Sequence, residues 1–352
     1  MSTPSKLEVY LLTESDGFFG CRMMPWESMD VDVLVKILSE HFSVVRLTYA
    51  EIASGAVCPK NSIIIHSSSQ QTEYKVFIDD ILLYLAANSN RLVPSIHATR
   101  SHDNKGYQEL HKRLCGIRSL NGVYVAKLSE IDRKGIAYPV VFKELSGFGS
   151  SGVRLLYSER GLLDATKVEP RLSWRETGKA IKSNIGYAVR KYILRRKHLK
   201  PYGNYYNTLK PFVLQDYIPN LSCDYKVLAF QNRFFVLKRD VRPNDFRASG
   251  SGRFHFEYPP TGLLDFAAEL LDKFDEPYMS LDICFDGSKF HLIEFQGLHF
   301  GPFTLTQSPQ HFRQRDGRWD ECVGKVELEE ILGESLVLFL QRALRNEQGN
   351  LQ

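Results

Sequence analysis

Apolar positions along the chain repeat with two periods. Leu7–Leu12, Val44–Thr48 and Ser62–His66 are short β-branched or apolar runs, each ending in polar or small residues, and they read as strands. Between them, Asp30–His41 and Tyr74–Ala87 carry apolar residues at three- and four-residue spacing. Val31, Leu34, Val35 and Leu38 form the first stripe; Phe77, Ile81, Leu82 and Leu85 form the second. Strand alternating with helix predicts a small parallel sheet covered by helices. Ligands of such sheets gather beyond the carboxyl ends of the strands, which marks Thr13–Phe19 and His66–Gln71 as substrate loops. The competing reading is that these Ser-rich turns only cap the following helices. Leu92–Pro94 adds one more short strand, and the first domain is expected to span residues 1–98.

A helix from Lys105 to Cys115 follows, then strands Tyr138–Leu145 and Val153–Tyr157 around a glycine-rich connection. These belong to an expected linker-helix and lid region, 99–211, which also holds a stretch dense in Arg190, Lys191, Arg195, Arg196, Lys197 and Lys200. That stretch reads either as a solvated helix face or as a patch facing phosphates or an anionic substrate. Residues 212–352 are expected to form the C-terminal subdomain, with strands Phe212–Tyr217, Tyr225–Phe230, Arg233–Arg239, Tyr278–Phe285 and Lys289–Phe295. Helices Leu263–Phe274 and Val326–Leu344 would pack on that sheet.

Composition narrows the class. The chain has 352 residues, 43% of them hydrophobic and 24% charged, which suits a globular protein of two or three units. Only the polar start, Met1 to Lys6, and the tail after Arg345 are expected to be disordered. No apolar run reaches the roughly 18 residues that a membrane span needs, and no basic-then-apolar signal segment opens the chain. The six cysteines (Cys21, Cys58, Cys115, Cys223, Cys284, Cys322) are scattered with no Cys-x-x-Cys pair, so reduced thiols and a cytoplasmic location are expected. A net charge of +4 is too small to imply nucleic acid. Neither nucleic acid nor a membrane is an expected partner.

Four constellations carry candidate chemistry. In the first, a strand delivers Lys143 and then a loop with Gly147, Gly149, Ser150, Ser151 and Gly152 before the next strand begins. Glycines let backbone N–H groups approach phosphate oxygens, and the lysine adds a point charge. Strands on both sides exclude a Walker A loop and a Rossmann turn. The second is Asp282, an Asp286-Gly287 turn, and Glu294-Phe-Gln296 on two adjacent antiparallel strands. Glu294 and Gln296 share a face there and Asp282 can lie opposite, with Ile293 and Phe295 expected to be buried. Two carboxylates and an amide carbonyl are hard oxygen ligands suited to magnesium. The third, Gln215-Asp216-Tyr217-Ile218-Pro219 followed by Asp224, offers backbone groups for an adenine edge and a carboxylate for ribose hydroxyls. The fourth gathers Lys238, Arg239 and Arg242 with Asp245-Phe246-Arg247 and a flexible Gly/Ser segment, which suits phosphate or an acyl phosphate.

The order of these sites, beginning with Lys105 and ending with Gln296, resembles the ATP-grasp superfamily from about Pro94 to Pro302. Phe246-Arg247 before small residues is most similar to the ribosomal-protein-modifying glutamate ligases. The resemblance implies a small N-terminal parallel α/β domain followed by a two-lobed ATP-grasp fold of α+β type, with ATP and magnesium, or manganese in its place, held between the lobes. It also implies roles. Lys105 and Lys143 would bind phosphates and Gly147 to Gly152 would close over them. Gln215, Asp216 and Ile218 would meet adenine, and Asp224 ribose. Asp282, Glu294 and Gln296 would hold the metal. Lys238, Arg239 and Arg247 would serve the transferred phosphoryl group. Gln296 stands where the family usually has Asn, roughly 1.5 Å longer in reach.

The activity implied is a carboxylate–amine ligase acting through an acyl phosphate. An ATP-grasp kinase and a non-catalytic nucleotide-binding module are the alternatives. Substrates would be small-molecule or peptide carboxylates and amines, with an anionic acceptor near Arg242, Arg253, His299, Phe300 and Pro302. A homodimer is compatible with this reading.

Overall fold

The apolar runs at the start of the chain pair as parallel strands β1 (Glu8–Thr13), β2 (Ser43–Thr48), β3 (Ile63–Ile65) and β4 (Arg91–Val93), in the order β2-β1-β3-β4. All three residues of β3 are buried, as expected where helices cover both faces of a parallel sheet. This is a computed structural model, and it describes residues 6–147, 151–167, 183, 185–197 and 210–349. The helices of this part are α1 (Val31–Ser39), α2 (Tyr49–Ala53), α3 (Thr72–Ala87) and α4 (Ile96–Ser101); α5 (Lys105–Leu114) follows and sets His111 against Phe274 and Phe295. Each of α1, α4 and α5 begins at a side-chain cap: Asp30, Ser95 and Asn104 accept from backbone N–H groups of the first turn.

Strands β5 (Gly122–Val125), β6 (Val140–Glu144), β7 (Val153–Leu156) and β8 (Phe212–Asp216) form a small antiparallel sheet in the order β5-β8-β6-β7, with helix α6 (Glu159–Ala165) beside it. Phe212–Asp216 thus lies in this sheet and not in the C-terminal one, where the sequence order suggested it. Phe212 and Leu214 alternate onto one face and join Val125, Val140, Phe142, Leu156 and Leu162 in a core, with the Phe142 and Phe212 rings stacked at 5.1 Å.

The remaining strands are β9 (Cys223–Phe230), β10 (Phe234–Asp240), β11 (Phe254–His255), β12 (Tyr278–Phe285), β13 (Phe290–Gln296), β14 (Gln310–Arg315) and β15 (Arg318–Val323). Together they make a seven-stranded sheet ordered β13-β12-β9-β10-β14-β15, with β11 on β10. The helices of this region are α7 (Leu263–Phe274), α8 (Phe303–Gln307) and α9 (Leu328–Gly349). Helix α9 continues past Arg345, so most of the tail expected to be disordered is helical. The polar hairpin β14–β15 escaped the periodicity reading. Its Asp316-Gly317 turn, with both residues at positive φ, is the signal that marked it.

Contacts divide the chain into one unit of residues 1–121, 146–151 and 218–352 and a second of 122–145 and 152–217. The parallel sheet and the seven-stranded sheet share the first unit because one core joins them. Val9, Leu11, Leu34 and Leu38 pack with Leu228, Phe230, Phe235 and Tyr278 and with Leu332, Leu336 and Leu340 of α9. On the other face of the large sheet, α7 buries Leu263, Ala267, Leu270 and Phe274 against Val227, Val236, Leu281, Ile283 and Phe295.

Candidate functional site

Alternation along four neighbouring strands decides what faces the site. In β12, Met279, Leu281 and Ile283 point into the α7 core, so Ser280 and Asp282 point the other way. In β9, Val227 and Ala229 belong to that same core, which leaves Asp224 and Lys226 on the face of Asp282. Asp282 is the register partner of both Lys226 and Glu294, and Ser280 is that of Gln296. The register slips between Asp282 and Ile283, because Ile283 pairs with Leu292 and Ile293 becomes the extra residue of a bulge. The apolar face of β13 is therefore carried by Leu292 and Phe295. Ile293, expected to be buried, is only half-buried.

The result is a charged cluster on one face of the sheet. Arg239 donates from Nε to Asp224 Oδ1 at 2.6 Å and from Nη2 to Asp224 Oδ2 at 2.9 Å, and its Nη2 lies 2.9 Å from Asp282 Oδ2. Burial works against the Arg239 charge, but the carboxylates of Asp282 and Asp224 more than offset it and raise its pKa. Lys226 is half-buried, and the loss of water around it lowers its pKa against the pull of Asp282, Glu294 and Asp224. Gly301, at φ +63°, lies against this ammonium: a Cβ there would come within 3.2 Å of Lys226 Nζ. Lys105, at the start of α5, places Nζ 3.0 Å from the Gly147 carbonyl, to which it donates, and 3.6 Å from Glu294 Oε1. Gln296 Oε1 lies 3.2 Å from His102 Nδ1. Burial holds His102 below the usual histidine range, and burial with His102 and Lys226 nearby pushes His299 down to about 4. Both rings are therefore neutral near pH 7.

Three carboxylates (Asp224, Asp282, Glu294) thus meet three cations (Lys105, Lys226, Arg239) on one face. The oxygens of Asp282, Glu294 and Gln296 are a hard donor set that fits magnesium, with an amide as the third member. Among the described residues, no group of three or more His, Cys, Asp or Glu side chains is placed to hold a metal, so the set depends on that amide.

Other expected residues fall elsewhere. Lys238 neighbours Arg239 on β10 and so points from the opposite face, where Nζ pairs with Glu257 Oε1 at 2.8 Å. The Asp224 carboxylate, expected to face ribose, is engaged by Arg239. Arg247 donates to Asp245, from Nη2 to Oδ2 at 2.6 Å, with its guanidinium over the Phe246 ring. Phe300, expected to border the acceptor, lies in the core against Phe230 and Tyr278. In the second unit, Lys143 and Gln215 are buried on β6 and β8, and Asp216 is exposed at the end of β8. Gly152, at φ +72°, closes the β6–β7 turn where a Cβ would strike the Glu144 side chain at 2.9 Å. Ser151 and Gly147 are described; Gly149, Ser150 and Lys200 lie outside the described residues. Ile218 follows β8 and is half-buried.

Lys226 and His102 were given no role by the sequence reading. Lys226 was legible, since Asp224 and Lys226 are two apart on one strand. His102 had no signal, because it sits in the turn between α4 and α5.

No protein-family model matches the sequence, and no curated protein matches it. Solved structures do. The ATP-grasp ligase PsnB, complexed with a phosphomimetic variant of a minimal precursor, Mg and ADP, aligns over 96% of this chain and 99% of its own at TM-score 0.50 and 9% identity. D-alanine–D-alanine ligase from Bacillus anthracis covers 98% of this chain and 99% of its own at TM-score 0.47 and 11% identity. A RimK domain ATP-grasp protein from Sphaerobacter thermophilus covers 83% and 91% at TM-score 0.42 and 14% identity. At such identities the likeness is one of fold, and the PsnB alignment carries it: this chain has the ATP-grasp fold.

Proposed function

We propose that this chain is an ATP-dependent ligase that activates a carboxylate as an acyl phosphate and joins it to an amine. The observation that carries the reading is the face bearing Asp282, Glu294 and Gln296 beside Arg239, Lys226 and Lys105. Carboxylates and cations collected on one face of the sheet suit a reaction whose transition state spreads negative charge over phosphoryl oxygens.

Magnesium held by Asp282, Glu294 and Gln296, or manganese in its place, would neutralise charge on the nucleotide phosphates. Lys105 and Lys143 would bind those phosphates, with the Gly147–Gly152 loop, including Gly149, Ser150 and Ser151, lying over them. Gln215, Asp216 and Ile218 would meet adenine. Asp224 would act through Arg239, holding the guanidinium in place, and Arg247 would steady the γ-phosphoryl group. Substrate carboxylate oxygen attacks the γ-phosphorus, the bond to the ADP oxygen breaks, and an acyl phosphate forms. An amine nitrogen then attacks the acyl carbon. Phosphate leaves, the nitrogen loses a proton, and an amide results.

Phosphate release from ATP, screened over pooled carboxylates with pooled amines and followed by mass spectrometry, tests this. The expected products are ADP, phosphate and an amide in equal amounts. A phosphorylated acceptor without amide would replace the ligase by a kinase, and ATP binding without turnover in any pairing would leave a nucleotide-binding module.

A further inference from the structure

Residues 185–197 of the second unit were read from sequence as a solvated basic face or a phosphate patch, and their exposure points elsewhere. Residues 185–188 are helical and run directly into a π-helical turn, Val189–Ile193. Ile185, Val189 and Ile193 recur every four residues, which keeps them near one side through the helical and π-helical turns, and Tyr192 adjoins Ile193. A face of that kind normally packs on a core, yet Ile185 is 64% exposed, Tyr192 71% and Ile193 72%, with Leu194 at 58% beside them.

Cations border this apolar strip. Arg190, Lys191, Arg195, Arg196 and Lys197 are all exposed, and residues 185–197 contain no aspartate or glutamate. The Lys191 ammonium lies 5.4 Å from the ring centres of both Tyr187 and Tyr192, so this charge sits over aromatic faces at the edge of the strip. Single exposed apolar residues need no explanation, but an ordered strip with a basic border does.

We propose that this segment docks on an anionic lipid bilayer surface, with Ile185, Val189, Tyr192 and Ile193 entering the headgroup boundary and the five cations meeting anionic headgroups. Charge selects an anionic partner, and the aliphatic side chains select among anionic partners. A nucleic acid is gripped by phosphate contacts and by stacking on aromatic rings, to which isoleucine and valine add nothing. A bilayer gains from the same side chains by burying them. The inference revises the expectation of no membrane partner, and it does not depend on the ligase reading.

Co-sedimentation of the full chain with vesicles of phosphatidylcholine, alone or mixed with phosphatidylglycerol, tests it. Binding is expected to the mixed vesicles only. Arg195→Ser with Arg196→Ser should weaken it about 25-fold, at about fivefold per cation. Tyr192→Ser with Ile193→Ser should weaken it by about tenfold or more through lost apolar burial. All four positions are exposed, so thermal unfolding of both variants should match the parent. Absence of binding to the mixed vesicles overturns the proposal. So does parent-like binding by the Tyr192/Ile193 variant together with displacement by an oligonucleotide, which would assign the segment to a soluble polyanion.

Discussion

The chain gathers positive charge in two places and treats it in opposite ways. In the charged face of the large sheet, Arg239 and Lys105 are buried and Lys226 half-buried, and carboxylates of Asp224, Asp282 and Glu294 surround them. In the segment 185–197, five cations are exposed without an acidic residue among them. Removing charge from water is costly unless a partner replaces the solvent, so the buried group had to be balanced. The exposed group had no such requirement, and its charge remains available to something outside the chain. Both regions look alike as counts of Lys and Arg. Burial is what separates structural charge from charge offered to a partner.

Changes in the buried group should therefore cost most. Arg239→Leu leaves Asp224 and Asp282 facing each other without their shared cation. We expect a loss of about 3–5 kcal/mol in denaturant unfolding and loss of ATP turnover. Asp224→Asn in the same chain should restore part of the stability. If Arg239→Leu unfolds like the parent, the charge balance described here is not structural.

Next comes Glu276, which is fully buried and accepts from the backbone N–H of Ser95 at 3.0 Å and from its hydroxyl. Burial pushes its pKa up from 4.5 to about 8. The folded state therefore binds a proton that the unfolded state has released. The sign follows: stability is full below the unfolded value, falls as pH rises, and levels off once pH passes the folded value near 8. Glu276→Gln should remove this fall and be more stable than the parent above pH 8, by on the order of a few kcal/mol, read as a higher melting temperature. A parent melting temperature that is flat between pH 5 and pH 9, on the order of the window named here, would count against it.

Smaller effects sharpen the contrast. Gln296→Asn shortens the side chain and should cost about 1 kcal/mol through the lost bond to His102, with a shifted magnesium dependence of phosphate release. Lys238→Met, one residue from Arg239 but on the other face, removes a pair whose Glu257 partner is half exposed. About 1 kcal/mol or less is expected, and an Arg239-sized loss would place Lys238 in the buried cluster after all. Last, Arg195→Ser with Arg196→Ser should change unfolding by less than about 0.5 kcal/mol, since both side chains are exposed.

Much of the architecture was legible in the sequence because local patterns agree with the fold. The period-two and period-3.6 runs located β1 to β4, α1, α3, α7 and the β12–β13 hairpin within a residue or two. The Asp282, Glu294 and Gln296 set was also readable, since alternation and one Asp-Gly turn suffice to put them on one face. Strand order was not readable. Phe212–Asp216 carries the same apolar alternation as β9 and β10, and only its pairing with β5 and β6 shows which sheet it completes. The bulge at Ile293 was hidden for the same reason, because one extra residue exchanges the faces without altering composition.

By itself, then, the sequence determined most of the strands and helices and which oxygen-bearing side chains stand together, because both follow from spacing along a few residues. Only the tertiary structure decided which cations are spent on internal carboxylates and which are left outward. That outcome depends on burial, and burial is set by residues distant in the chain: Arg239 meets Asp224 and Asp282 across three strands, whereas Arg195 and Arg196 are exposed.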